Sequence, residues 1–128
     1  KVLIAHESNF SAAETFALMF KERRVGTIVG RRTGGGGIGG ALFYQRLIDG
    51  GRVVIPNRAS HNSRLGTWDV ENFGVTPDVD VPITQADAVA GRDPQLDMAI
   101  TVALRQLETA SRTAKKRPAM PVHPPRDP

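Results

Sequence analysis

Apolar and polar positions follow one another along the chain with a period that changes several times. Residues 1–5 (KVLIA) form a short apolar run, the pattern of a buried strand. After a polar turn at 6–10, Ala13, Phe16, Ala17 and Phe20 recur at helical spacing, which predicts a helix over 11–23 with that stripe turned to a core. Lys21, Arg23 and Arg24 stand in and just past its last turn, where cations face the negative end of the helix dipole. Gly26 ends the helix, and 27–29 (TIV) is a second strand. A strand, helix and strand of these lengths make a βαβ unit, so the two strands are expected to pair in parallel.

The pattern then breaks at Thr33, which is followed by Gly34, Gly35, Gly36, Gly37, Ile38, Gly39 and Gly40. Residues 41–48 fit helix or strand. Asp49-Gly50-Gly51 is a turn signal before the β-branched run 52–56, so a hairpin with arms 41–48 and 52–56 is expected. Residues 57–64 read as polar loop, 67–71 as an alternating strand, 72–77 as a turn, and 79–81 as a short edge strand limited by Pro82. The last element is a helix capped by Asp93 with Pro94 in its first turn. Its apolar face of Leu96, Ala99, Ile100, Ala103, Leu104 and Leu107 should pack on the sheet, and it should end near Arg112.

Composition narrows the classes. The 128 residues contain no cysteine, which removes disulfides, thiolate catalysis and Cys-ligated metal. No apolar run approaches the roughly 20 residues of a bilayer-spanning helix. The net charge of +4 suggests an acidic partner until it is located. Residues 112–128 hold Arg112, Lys115, Lys116, Arg117 and Arg126 against Asp127, which accounts for the whole excess. That segment also carries Pro118, Pro121, Pro124, Pro125 and Pro128, so 113–128 is expected to be a disordered basic tail. The body is neutral, and neither nucleic acid nor a membrane is an expected partner. The chain starts at Lys1 inside a strand pattern and is expected to be cut from something longer, so a missing signal peptide carries no information.

Three groups of residues could carry chemistry. Ser11 stands between a strand and a helix, where free N–H groups can hold an oxyanion. Ser11-x-x-Glu14 is equally a capping box, in which Ser11 would only accept from the Glu14 N–H. The glycine cluster contains G-x-G-x-x-G at Gly35, Gly37 and Gly40, but Val54, Ile55 and Pro56 stand where a ribose-binding acid would follow about 20 residues on. No Gly-Lys-Ser/Thr follows it either. The cluster is a turn, or a ledge where a ligand backbone can approach. Asp69, Glu71 and Asp78 could act as bases or orient a histidine, or could be solvated turn residues. Of the histidines, His123 lies in the tail, His61 in a polar loop, and His6 at a strand end near Ser11, where a Ser/His pair is conceivable. No histidine pair has metal-binding helical spacing, so neither metal nor cofactor is expected.

Four strings occur in a familiar order: Glu7 through Ser11-Ala12-Ala13-Glu14, Val29-Gly30-Arg31-Arg32-Thr33-Gly34-Gly35, Val70-Glu71-Asn72-Phe73-Gly74-Val75-Thr76-Pro77-Asp78, and Gly91-Arg92-Asp93-Pro94-Gln95-Leu96. Together, over residues 1–112, they resemble the C-terminal catalytic region of tricorn-type proteases, within the tail-specific serine peptidases of family S41. The resemblance implies an α/β, ClpP/crotonase-like catalytic subdomain that hydrolyses peptide bonds through an acyl-enzyme. It implies Ser11 as nucleophile, the Ala12 N–H as oxyanion donor and Glu71 as the acidic member of a tetrad. The general-base histidine, its adjacent serine and a second oxyanion donor would lie upstream. Gly34, Gly35 and Gly36 would flank the peptide substrate. The lysine of the Ser/Lys branch would fall at Gly36, which argues for the tricorn type. The family tryptophan before the glycines is absent, and its small acidic residue after the nucleophile is Ala12. Peptide substrates, homo-oligomers of the full-length form and a cytoplasmic location, with exported relatives also existing, are further implications. A non-catalytic peptide-binding or assembly domain, with Ser11 as a cap, stands as the alternative. A nucleotide-binding βαβ domain would require a helix at 41–48.

Overall fold

The structure is a computed structural model, and it describes residues 1–39, 44–62, 66–68, 70–110 and 118–120. Asp69, His123 and the tail apart from 118–120 lie outside the described residues. The first strand β1 (Val2–Ala5), helix α1 (Ala12–Glu22) and strand β2 (Thr27–Gly30) form the expected βαβ unit. β1 and β2 pair in parallel with Val2 opposite Thr27 and Ala5 opposite Gly30.

The chain then builds two antiparallel pairs. β3 (Tyr44–Arg46) pairs with β4 (Arg52–Val54), and β5 (His61–Asn62) pairs with β6 (Thr67–Trp68). The first pair is the expected hairpin, so the nucleotide-binding reading loses the helix it needs. The second pair corrects the reading of 57–64 as loop only, and Glu71 falls in a turn beyond the strand expected over 67–71. β7 (Val79–Asp80) returns to the first sheet and pairs in parallel with β2, which gives the order β1-β2-β7. The short helix α2 (Gln85–Val89), unforeseen in the sequence, is followed by α3 (Pro94–Thr109).

Successive strand residues point to opposite faces, and both Ile28 and Val29 are fully buried. Ile28 joins Ala5, Ala17, Phe20, Val70 and Val75 in a core against α1, with Leu3 and Leu18 packed on its edge. Val29 therefore lies on the other face, toward α3. Asp78 is part of the frame: its Oδ2 accepts from the Ile28 N–H at 2.8 Å and its Oδ1 pairs with Lys21 Nζ at 3.4 Å.

Helix faces differ from the expected ones. In α1 the buried residues are Glu14, Ala17 and Phe20, while Phe16 is exposed. In α3 the buried residues are Gln95 and Ala99, and Leu96, Ile100, Leu104 and Leu107 face outward. Polar anchors set that rotation. Gln95 Nε2 donates to Val81 O at 2.9 Å, Gln106 Nε2 donates to Thr27 Oγ1 at 2.8 Å, and the Lys1 ammonium donates to Gln106 Oε1 at 2.9 Å. These bonds tie the Gln95, Ala99 and Gln106 side of the helix to the sheet.

Candidate active site

Ser11 sits at the turn from β1 into α1 with φ 55° and ψ −116°, in the left-handed half of backbone space that a serine rarely adopts. Such a turn thrusts the side chain out of the chain path, the geometry of a nucleophile elbow. Its hydroxyl makes no cap bond and no other hydrogen bond among the described residues. The capping-box reading therefore loses its defining contact. The Ser11 N–H donates to Gly36 O at 3.1 Å, and Ser11 O accepts from the N–H groups of Glu14 and Thr15 at 3.0 Å each. The Ala12 N–H, at the open first turn of α1, has no acceptor among the described residues.

Glu14 has the role that sequence reasoning missed. It is fully buried and reaches the glycine loop instead of the helix start. Its Oε1 accepts from Thr33 Oγ1 and from the Gly35 N–H, both at 2.6 Å, and its Oε2 accepts from the Gly36 N–H at 2.5 Å. Glu71 continues the same pattern: its Oε2 accepts from the N–H groups of Gly37 and Ile38, both at 2.7 Å. Two carboxylates thus hold four consecutive backbone N–H groups. The one available signal for Glu14 was its place three residues before Ala17, on the stripe that α1 buries.

The rest of the loop is gripped from the 70–75 segment. Thr33 exchanges with Val75, donating its N–H to Val75 O at 3.1 Å and accepting the Val75 N–H on Oγ1 at 2.7 Å. The Asn72 N–H donates to Gly35 O at 2.8 Å. Glycine is required here by space and by conformation. Gly35 has φ +86°, and a Cβ on it would stand 3.1 Å from the Asn72 and Phe73 backbone. A Cβ on Gly34 would stand 2.2 Å from the Phe10 ring.

Three cavities surround this loop. The first, about 310 Å³, is lined by Ser11, Ala12, Thr15, Gly37, Gly39, Arg58 and Ser60. The second, about 370 Å³, shares Gly37 and Ser60 and adds Glu71, Ile38, Trp68 and Phe73 among its walls. Ser11 and Glu71 therefore open onto adjoining spaces separated by the Gly37 backbone. The third, about 450 Å³, lies at Glu7, Phe10, Arg31, Arg32, Gly34 and Phe73. Of the expected ledge residues, Gly34 lines this third space, whereas Gly37 and Gly39 line the space that holds Ser11.

His6 is committed elsewhere: its Nδ1 accepts from the Ser8 N–H at 3.2 Å and its Nε2 lies 3.1 Å from Glu7 Oε2. His61 packs edge-on against Trp68. Neither hydrogen-bonds Ser11. The Glu7 carboxyl is held below its ordinary range, first by a hydrogen bond from its own backbone N–H, partly opposed by desolvation, and then by Arg31 and His6. Among the described residues no three His, Asp or Glu side chains converge as metal donors.

Comparisons with known proteins agree with the region this geometry marks. The model of "Peptidase family S41" matches residues 1–81, from β1 through β7. Tricorn protease homolog 1 of Streptomyces coelicolor is 43% identical over 120 residues, covering 94% of this chain and 11% of the relative. The Tricorn protease of Thermoplasma acidophilum is 34% identical over 118 residues, covering 92% of this chain and 11% of the relative. A crystal structure of the tricorn protease superposes with TM-score 0.73 at 36% identity, over 84% of this chain and 10% of that one. The chain thus spans about a tenth of the length of these relatives.

Proposed function

The chain belongs to peptidase family S41, and from that premise we propose that it carries the nucleophile of a serine peptidase. The observation that supports this most is the strained, uncapped Ser11, whose hydroxyl and the free Ala12 N–H open onto one cleft. A hydroxyl held in an unfavourable backbone conformation, with no partner of its own, is poor as a structural element and well placed as a reacting group.

In the proposed reaction Ser11 Oγ attacks the scissile carbonyl carbon, and a histidine supplied from outside these residues takes its proton. The carbonyl oxygen becomes the oxyanion and accepts from the Ala12 N–H. Collapse expels the amine, which leaves with the proton from the histidine. Water then repeats the sequence on the acyl-serine and frees the second product. Glu71 would act twice. Its Oε2 already holds the Gly37 and Ile38 N–H groups, and its Oε1, which has no partner among the described residues, is left for the hydroxyl of the tetrad serine. Short peptides are the proposed substrates.

The test is peptide hydrolysis by the full-length enzyme. Ser11→Ala should lower kcat by at least about a thousandfold with KM little changed, the mark of an interaction made in the transition state. Glu71→Gln should lower kcat too, and also loosen the loop at Gly37. Undiminished turnover in Ser11→Ala would overturn the proposal.

A further inference from the structure

Among the described residues, Arg58 is the one charged residue lining the Ser11 cleft, where its neighbours are Ser11, Ala12, Thr15, Gly37, Gly39 and Ser60. Its position is built. The Gly39 N–H donates to Arg58 O at 3.0 Å and the Arg58 N–H donates back to Gly39 O at 3.1 Å, so the two backbones are bridged where both line the cleft. The guanidinium lies over Gly39, where a Cβ would stand 2.9 Å from Nε and 3.4 Å from Nη2. The glycine removes the side chain that would otherwise displace it.

Two arginines near the sheet are already paired. Arg31 pairs with Glu7 and Asp80, and Arg92 pairs with Asp87. No carboxylate among the described residues pairs with Arg58. A planar guanidinium that lines this cleft, with no acceptor for its donor fork among the described residues, matches a carboxylate, which it can bind through two parallel N–H···O bonds.

We propose that Arg58 determines specificity by binding a carboxylate of the peptide next to the scissile bond. A peptide whose carbonyl reaches Ser11 brings its neighbouring side chain, or its chain end, to the guanidinium on the same wall. The inference rests on the peptidase reading for the identity of the ligand, and on the cleft geometry for the chemistry.

The experiment uses the full-length enzyme and three matched peptides. Two are capped as amides and carry Glu or Gln beside the scissile bond, and the third ends there in a free carboxylate. The wild type should favour Glu over Gln in kcat/KM by about tenfold, the order of one charge-assisted hydrogen bond. Arg58→Gln should bring that ratio close to one, Arg58→Lys should restore part of it, and Arg58→Glu should turn the preference toward the Gln peptide. A preference confined to the free carboxylate, and lost in Arg58→Gln, supports the same contact and assigns it to the chain end.

Equal rates for all three peptides in the wild type, or a Glu preference untouched by Arg58→Gln, would overturn the proposal. Fluorescence anisotropy with non-cleavable analogues of the same peptides, their scissile amide reduced, reads the ratio without turnover. If turnover proves independent of Ser11 while the anisotropy ratio still depends on Arg58, the peptidase reading fails and this inference stands.

Discussion

Replacing Glu14 by Gln tests whether a buried carboxylate shapes the glycine loop beside Ser11. The carboxylate accepts three hydrogen bonds, from Thr33 Oγ1, the Gly35 N–H and the Gly36 N–H, in a site that excludes water. Gln keeps one oxygen, which can still serve Thr33 and Gly35. Its amide nitrogen then faces the Gly36 N–H, donor against donor. The charge-assisted bond to the half-buried Gly36 N–H is replaced by a donor–donor contact, a change worth up to about 3 kcal/mol for a bond to a charged group, so local opening should become easier by about that amount. Since about 1.4 kcal/mol is tenfold, hydrogen exchange at the Gly36 amide should accelerate by about a hundredfold. The disturbance should pass to Ser11, whose N–H donates to Gly36 O at 3.1 Å, and lower kcat. Hydrogen–deuterium exchange resolved to the 33–38 segment is the assay. Unchanged protection at Gly36, or an effect below about tenfold, would refute the assigned role.

Three further substitutions or conditions probe the same fold. Ser11→Gly removes the penalty of φ 55° and should raise stability by about 1 kcal/mol in chemical denaturation, while abolishing peptide hydrolysis; a loss of stability would contradict the strain. Gly35→Ala combines a left-handed φ of +86° with a 3.1 Å approach to the Asn72 and Phe73 backbone, and should lower stability by about 2 kcal/mol or more, read as a lower Tm. Asp87 is held below its ordinary pKa first by the Thr84 hydroxyl, then by the Thr84 N–H, with Arg92 adding. Because the folded form has the depressed pKa, its contribution is present above the usual carboxylate range and is lost as pH falls through the folded value. Acid titration should therefore fray α2 only below about pH 4, seen as a shift of the Thr84 amide resonance, and Thr84→Ala should move that transition upward.

The first sheet was legible because each of its parts rests on local pattern. Short apolar runs at 1–5 and 27–29 bracket a helical period, and Asp49-Gly50-Gly51 separates the hairpin arms. The small α2 escaped notice because its five residues bury nothing, although Thr84-x-x-Asp87 is a complete capping box. The face of α3 was misread for a physical reason. Counting apolar residues selects the Leu96 side, but two glutamines bond to Val81 O and to Thr27 Oγ1 and turn the helix toward Ala99. The site itself was half legible. Ser11 could be seen at a strand-to-helix junction, where spacing alone favours the cap and the family resemblance favours the nucleophile. Its backbone strain depends on Gly36 O, which is 25 residues away, and the grip of Glu71 on Gly37 spans 34. Contacts of that separation leave no period to read. Glu14 was hidden by its own motif, since the S-x-x-E spacing that suggests a cap also points the carboxylate inward.

The proposed nucleophile, Ser11, can be tested by its own reactivity. The most direct measurement is covalent labelling of the full-length enzyme by a fluorophosphonate, with the adduct located by peptide mass spectrometry. One adduct is expected, on Ser11, absent from a folded Ser11→Ala variant and slowed in Glu14→Gln. A folded, peptide-cleaving enzyme with no adduct at Ser11, or with its adduct on another serine, would contradict it.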